Sequence, residues 1–446
     1  MLYLSNLSET PALASTKQYS GKVVSINGPL ITARIPQSAI GDLCHIERRA
    51  QAPLPAQVVA FAGDLISLAP FDNTHGITPG AAVLNSNNAP QISLSEELLG
   101  SALDPLGNLI QRFTTPGMQS TETQCAINAS APTPLSRAPI SKQLITGVKT
   151  IDGLCSIGYG QRVGLFSEAG LGKSTLLGML ARNAEVDVCV VALVGERGRE
   201  VREFVEESLC PETLKRSVLV IATSDESSIR RKLAAMTATT IAEYFRSQGK
   251  RVLLLVDSLT RMARAIREVT LAAGELPVRQ GYTSSVYTEL PALLERAGTD
   301  AQGSITAIYT VLTTAGEDTD PLSDEIKSLL DGHIVLNKDL ALQGIRPAID
   351  LTLSVSRLLP KLHDSNYLKI VNIVVKILNR LKKDRDLLIF GGEPDSELKA
   401  CLAVEQELLE LVTQTPLQVE KLKTLQSKLA QLAETFEGFV MDTAIT

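Results

Sequence analysis

The chain has 446 residues, 44% of them hydrophobic, 21% charged and 4% aromatic, with no Trp. At about 100–200 residues per domain this allows two to four domains, and the composition excludes a disordered or collagen-like chain. Forty-three Lys and Arg against 49 Asp and Glu leave a net charge of -6, so no global positive field holds the protein on nucleic acid or an anionic membrane; local basic patches stay open.

In chain order, residues 1–17 are polar and irregular and read as an N-terminal arm. Met1-Leu2-Tyr3-Leu4-Ser5 has neither the basic n-region nor the apolar h-region of a signal peptide. No run of about eighteen apolar residues occurs, so no spanning helix is expected. Residues 18–95 carry short β-rich runs at Lys22–Ile26, Leu30–Ile35, Ala56–Phe61 and Leu65–Leu68, separated by turn signals such as Asn27-Gly28-Pro29 and Ala62-Gly63-Asp64. Strands at that close spacing predict a small β-barrel.

The stretch Pro116 to Pro139 is rich in Pro, Ser and Thr and reads as an extended connector, placed at the start of a domain spanning 96–357. Apolar strands are predicted at Arg162–Phe166, Val186–Val194, Val218–Ala222, Arg251–Val256 and Ser304–Val311. Helical periodicity lies between them, for example at Thr175–Asn183 and Ser227–Gln248. That alternation predicts a buried, mostly parallel sheet covered by helices. Residues 358–446 are Leu- and Lys-rich at helical spacing and predict a C-terminal helical domain. The six Cys have no CxxC spacing and several sit in apolar runs, so they read as reduced, buried small hydrophobes. The four His are isolated, and no zinc site is expected.

The strongest local signal is Ser167-Glu168-Ala169-Gly170-Leu171-Gly172-Lys173-Ser174-Thr175, a loop between a predicted strand and a predicted helix. A phosphate-binding (Walker A) loop needs small residues so that backbone N–H groups approach anionic oxygens, with the positive end of a helix behind them. Lys173 is placed to reach the β- and γ-phosphates, Ser174 to put its hydroxyl on Mg²⁺, and Thr175 to bond the α-phosphate. Arg251-Val252-Leu253-Leu254-Leu255-Val256-Asp257 is an apolar strand ending in a carboxylate, the pattern of a residue that holds the water shell of Mg²⁺ beside the loop. Glu196, in Val194-Gly195-Glu196-Arg197-Gly198-Arg199-Glu200, also closes a predicted buried strand and is the carboxylate placed to polarise an attacking water. A solvated, mixed-charge helix start would account for Arg199, Arg202 and Glu203 but not for Glu196.

Taken with Asp257-Ser258-Leu259-Thr260-Arg261, Leu271-Ala272-Ala273-Gly274-Glu275, Leu290–Gly298, Pro134–Arg137 and Thr146–Gly153, these motifs resemble the ATPase of type III protein secretion. That family includes the flagellar export ATPase and is related to the catalytic subunit of rotary ATP synthases. The resemblance runs over about residues 134–357, extends to the barrel, and is weak beyond. It implies an α/β fold with an N-terminal barrel for ring assembly, a central RecA-like P-loop domain with a mostly parallel sheet, and C-terminal helices. It also implies Mg-ATP hydrolysis with Glu196 as catalytic base, Arg197 ordering the phosphate end, and Arg261 supporting the site from behind. Arg357, in Ser354-Val355-Ser356-Arg357, falls where the family has the arginine finger that enters a neighbouring subunit's site.

The implied assembly is a homohexamer that releases or unfolds chaperone-bound substrates. Its implied partners are a stator-like regulator and a central stalk protein. Its implied place is the cytoplasm, peripheral at the inner membrane through other proteins, without nucleic acid. The sequence departs from the family at Ser167, where a smaller residue is usual, at Arg346, where an aromatic residue stacks on adenine, and at Thr283-Ser284, where prolines are common. Other readings share the core chemistry. An RNA-translocating motor needs aromatic platforms, whereas residues 1–95 hold only Tyr3, Tyr19, Phe61 and Phe71, none adjacent in sequence. A rotary synthase subunit, a ring component without turnover, and the choice between virulence-type secretion and flagellar export also stay open at this level.

Overall fold

The computed structural model describes residues 19–115, 121–313, 320–384 and 392–445, leaving aside the side chains of 442–445; the arm expected at 1–17 lies outside these. The chain divides into two compact units, one running up to Pro90 together with Glu268–Leu276, the other comprising Gln91–Arg267 and Pro277–Thr446.

In the first unit six antiparallel strands close a barrel in the order β1 (Tyr19–Asn27), β2 (Leu30–Arg34), β5 (Leu65–Pro70), β4 (Gln51–Ala62), β3 (Leu43–Arg48) and β6 (Ala82–Asn85), with β6 returning to β1. Alternation along each strand fills the interior: Ile31 and Ala33 from β2, Cys44 and Ile46 from β3, Leu54, Ala56 and Val58 from β4, and Ile66 and Leu68 from β5 are all buried. Gly28, in the β1–β2 turn, has φ +58, a backbone that glycine takes without steric cost. The sequence reading anticipates β1, β2, β4 and β5 but not β3 or β6. Gln91–Leu94, inside the 18–95 span expected for the barrel, pairs instead with Thr123–Ala126, so part of the expected connector is a strand.

The second unit is built on one large sheet. Its strands run in the order Val355–Ser356, Gly332–Val335, Arg162–Ser167, Ser304–Leu312, Arg251–Asp257, Val188–Glu196, Ser217–Thr223, Ser101–Leu103 and Leu109–Arg112. From Gly332–Val335 to Ser101–Leu103 every pairing is parallel, and the two outermost strands are antiparallel. Strands covered on both faces need apolar side chains at successive positions, and every residue of Val188–Glu196 is buried. Helices Lys173–Asn183 and Ser228–Ser247 follow the strands as predicted.

The C-terminal helices Ser365–Lys383, Ser396–Val412 and Leu422–Ile445 share this unit's core. Asp364 and Asp395 start the first two by accepting the backbone N–H groups of Tyr367 and Leu398. Val374, Leu408 and Leu429 from the three helices join the cluster that also buries Ile151 of the short helix Lys149–Leu154 and Val148 just before it. Among the described residues no helix is long and apolar enough to cross a membrane. All six cysteines are free, and burial pushes the Cys155 and Cys189 thiols up to about 12, which leaves them unreactive.

Beside the helix Ser228–Ser247, Arg296 is 2% exposed and fully engaged. It meets Glu243 at 2.6 Å, donates to Thr240 Oγ1 at 2.8 Å and to the Ile127 carbonyl at 2.9 Å. Arg296→Ala strands the Glu243 charge, so we expect a loss of about 3–5 kcal/mol of stability, read as a lower thermal midpoint. A midpoint equal to the wild type would show that water replaces the guanidinium at no cost.

Candidate active site

The strand Arg162–Ser167 delivers the chain at the carboxyl edge of the sheet into the loop Ser167–Gly172, and Lys173 begins the next helix. Gly170 and Gly172 have φ +81 and +87, and a Cβ built on either would meet nothing within 4 Å. The glycines are therefore required by the left-handed backbone, and the open space above them is room for an approaching anion. Ala169 and Gly170 are exposed, Leu171 is buried beneath them, and Ser174 and Thr175 are exposed on the first helical turn. Glu168 is partly exposed, and the buried Ser167 hydroxyl has no hydrogen-bond partner.

Two carboxylates converge on Lys173. Its Nζ bonds Asp257 Oδ1 and lies 3.8 Å from Glu196 Oε1. Asp257 closes the strand Arg251–Asp257, but the strand Ser304–Leu312 lies between it and the loop strand. That intervening strand adds a contact the sequence did not reveal: Thr310 Oγ1 donates to Asp257 Oδ1 at 2.7 Å. Its only sequence signal is a polar residue in a buried apolar run.

Glu196 is aimed by a bulge. Val194 pairs with Ala222 and Glu196 with Thr223, leaving Gly195 unpaired at φ +66. The extra residue bends the strand end and re-aims its side chain. Arg261 fixes the result, with Nη2 3.1 Å from Glu196 Oε2 and Nη1 donating to the Gly195 carbonyl. Glu196 Oε1 is buried without a hydrogen-bond partner. Burial, then the Asp257 charge, pushes the Glu196 carboxyl up to about 7, against the pull of Lys173 and Arg261. Lys173 and Arg261 balance Glu196 and Asp257, so the cluster is neutral when both acids are ionised.

The remaining predicted residues stand apart from this cluster. Arg197 is exposed and pairs with Glu200 at 3.1 Å. Arg346 is exposed too, but on the same end of the sheet as the loop: Leu336 N–H donates to the Phe166 carbonyl, and Asn337 N–H to the Ala348 carbonyl at 2.9 Å. Arg357 is at the opposite end. Ser356 is level with Gly332 and thereby with Val163, and Arg357 N–H donates to the Asp331 carbonyl at 3.1 Å. The four residue steps from Val163 to Ser167 separate its backbone from the loop by about 13 Å along the sheet.

A lysine-bearing glycine loop facing two carboxylates at strand ends can hold a nucleoside triphosphate and activate water. Comparison with known proteins agrees. The nucleotide-binding domain of the ATP synthase alpha/beta family matches residues 147–356, and the beta-barrel domain of that family matches residues 23–87. A flagellum-specific ATP synthase of Treponema pallidum is 45% identical over 401 residues, 89% of each chain. An SPI-1 type 3 secretion system ATPase of Salmonella typhi is 44% identical over 388 residues, 86% of this chain and 89% of that protein. The solved structure of the assembled ATPase EscN from the enteropathogenic E. coli type III secretion system matches with TM-score 0.87 at 40% identity, over 93% of this chain and all of that one. EscN has also been solved in complex with its central stalk EscO, matching with TM-score 0.84 at the same identity. The chain therefore belongs to the ATP synthase alpha/beta family, within it to the ATPases of type 3 secretion and flagellar export, and its activity is ATP hydrolysis.

Proposed function

We propose that this ATPase works as a homohexameric ring that drives protein export through a type III apparatus, freeing substrates from chaperones and unfolding them. The observation that carries the ring is Arg357, held at the far end of the sheet from its own phosphate loop. An arginine that cannot serve its own site is suited to a neighbour's. EscN is described as assembled and as bound to a central stalk, which supports a ring and a stalk partner here. A stator-like regulator and chaperone-substrate complexes complete the reading, with peripheral attachment to the cytoplasmic face of the inner membrane through other proteins. Relatives named for flagella and for secretion stand at 45% and 44% identity, so the proposal covers the export step common to both.

In this reading the loop from Ser167 to Thr175 cradles the phosphates with its backbone N–H groups. Lys173 leaves Asp257 to meet the β- and γ-phosphates, and Glu196 Oε1, buried without a partner, takes a hydrogen bond from the attacking water and then its proton. Arg197, on the first turn after the bulge, orders the phosphate end. Arg346 lies flat against the base, as a guanidinium does on a π-face. The oxygen donors fit Mg²⁺, which takes one or two protein ligands and keeps several waters: Ser174 Oγ, exposed at the helix start, and Asp257, whose Oδ1 bonds the neighbouring Lys173, would hold it. When bound, that ion neutralises charge on the β- and γ-phosphate oxygens.

Lys173→Ala tests the cradle. Losing the cation while both carboxylates stay should weaken nucleotide binding about 10- to 100-fold, read by titration of the folded variant with a fluorescent nucleotide. Wild-type affinity in that variant would remove Lys173 from the phosphate site.

A further inference from the structure

The turn between the helices Ser396–Val412 and Leu422–Ile445 is tied to the nucleotide core through polar atoms. Near its start Gln414 is 2% exposed, with both ends of its amide in use. Oε1 accepts the Lys149 backbone N–H at 2.9 Å, and Nε2 donates to the Gly147 carbonyl at 2.7 Å and to the Gln418 carbonyl. The backbone N–H of Gln414 donates to the Arg346 carbonyl at 2.6 Å. Two residues on, the Pro416 carbonyl accepts Arg182 Nη2 at 2.7 Å, and Arg182 sits in the last turn of the helix that Lys173 begins. Thr150 Oγ1 donates to the Val412 carbonyl at 3.1 Å.

One buried amide thus pins a turn that grips both the Arg346 segment and the far end of the phosphate-loop helix. The Arg346–Ala348 segment is clamped from two sides, by the Gln414 N–H on the Arg346 carbonyl and by the Asn337 N–H on the Ala348 carbonyl. We infer that Gln414 is a positioning residue for nucleotide binding: it holds the Arg346 segment where the guanidinium meets the purine, and so sets ATP affinity without touching the reacting atoms. This rests on the reading of Arg346 as the residue that faces the base. Truncating Gln414 leaves the Lys149 N–H and Gly147 carbonyl buried without partners, and the turn carrying the N–H that holds Arg346 loses its anchor.

The test is steady-state ATP hydrolysis by the full chain, alongside nucleotide titration. Gln414→Ala should raise KM for ATP about tenfold, the loss expected for about one hydrogen bond, with kcat unchanged. Arg346→Ala should raise KM similarly, and the double variant should be no worse than Arg346→Ala alone. Thr150→Val loosens the same turn without touching the clamp and should leave KM as it was. A raised KM in Arg346→Ala with an unchanged KM in Gln414→Ala overturns the positioning role of Gln414. An unchanged KM in Arg346→Ala overturns the base-facing reading instead, and an equal rise in Thr150→Val shows general loosening and overturns the specific role. Should Gln414→Ala not fold, Gln414→Glu keeps the acceptor for Lys149 N–H and loses the donor to Gly147. A smaller rise in KM is then expected, and no rise overturns the inference.

Discussion

Glu196→Gln should lower kcat for ATP hydrolysis by on the order of 10²–10⁴-fold and leave nucleotide binding in place, because the amide keeps the shape of the side chain and loses the proton acceptor. The side chain is 9% exposed and Arg261 holds one oxygen at 3.1 Å, so the substituted amide stays where the carboxylate was. Burial and Asp257 push this carboxyl up to about 7, and a base acts in its deprotonated form. The wild-type kcat/KM should therefore climb as pH rises through about 7 and level off above it, the inflection reporting the free enzyme. The glutamine variant should lose the inflection together with the rate. Turnover at the wild-type rate in that variant, or an inflection that survives it, would assign the base elsewhere.

Arg357→Ala should cost on the order of 10³–10⁵ in kcat, the range for a guanidinium that neutralises charge on the transferred phosphoryl group. The register puts Arg357 level with the amino-terminal ends of the parallel strands and its own loop at their carboxyl ends, so in the proposed ring the loss should arise between subunits. Mixing decides this. Arg357→Ala and Glu196→Gln proteins, each inactive alone, should regain part of the activity when assembled together. In mixed rings an Arg357→Ala subunit supplies an intact Glu196 while its Glu196→Gln neighbour supplies the arginine. Mixed rings that assemble and stay inactive would rule out catalysis by Arg357 in trans.

What could be read from the sequence followed from burial. Val188–Glu196 and Ser304–Leu312 lie inside a parallel sheet covered on both faces, and such strands appear in the sequence as plain apolar runs with edges known to a residue or two. The barrel strands β3 and β6 were harder. Leu43–Arg48 alternates Cys44 and Ile46 inward with His45 and Glu47 outward, and its partner β4 carries Pro53 and Pro55. Such a segment resembles a polar loop until its hydrogen-bonding neighbour is known.

At the site, Lys173, Glu196 and Asp257 were legible because each ends or follows an apolar strand. The order of strands was not legible, and with it the insertion of Ser304–Leu312 and the contact from Thr310 to Asp257. Gln414 was invisible for a related reason: its partners Gly147, Lys149 and Arg346 lie far from it in the chain, and their meeting depends on tertiary packing alone.

Because β6 returns to β1, the barrel offers no open backbone to a visitor. A neighbour cannot lengthen it by adding a strand, so a partner would have to grip its turns or exposed side chains such as Ile40 and Phe61, each 63% exposed. Joints of that kind part and re-form without tearing a ladder of main-chain bonds.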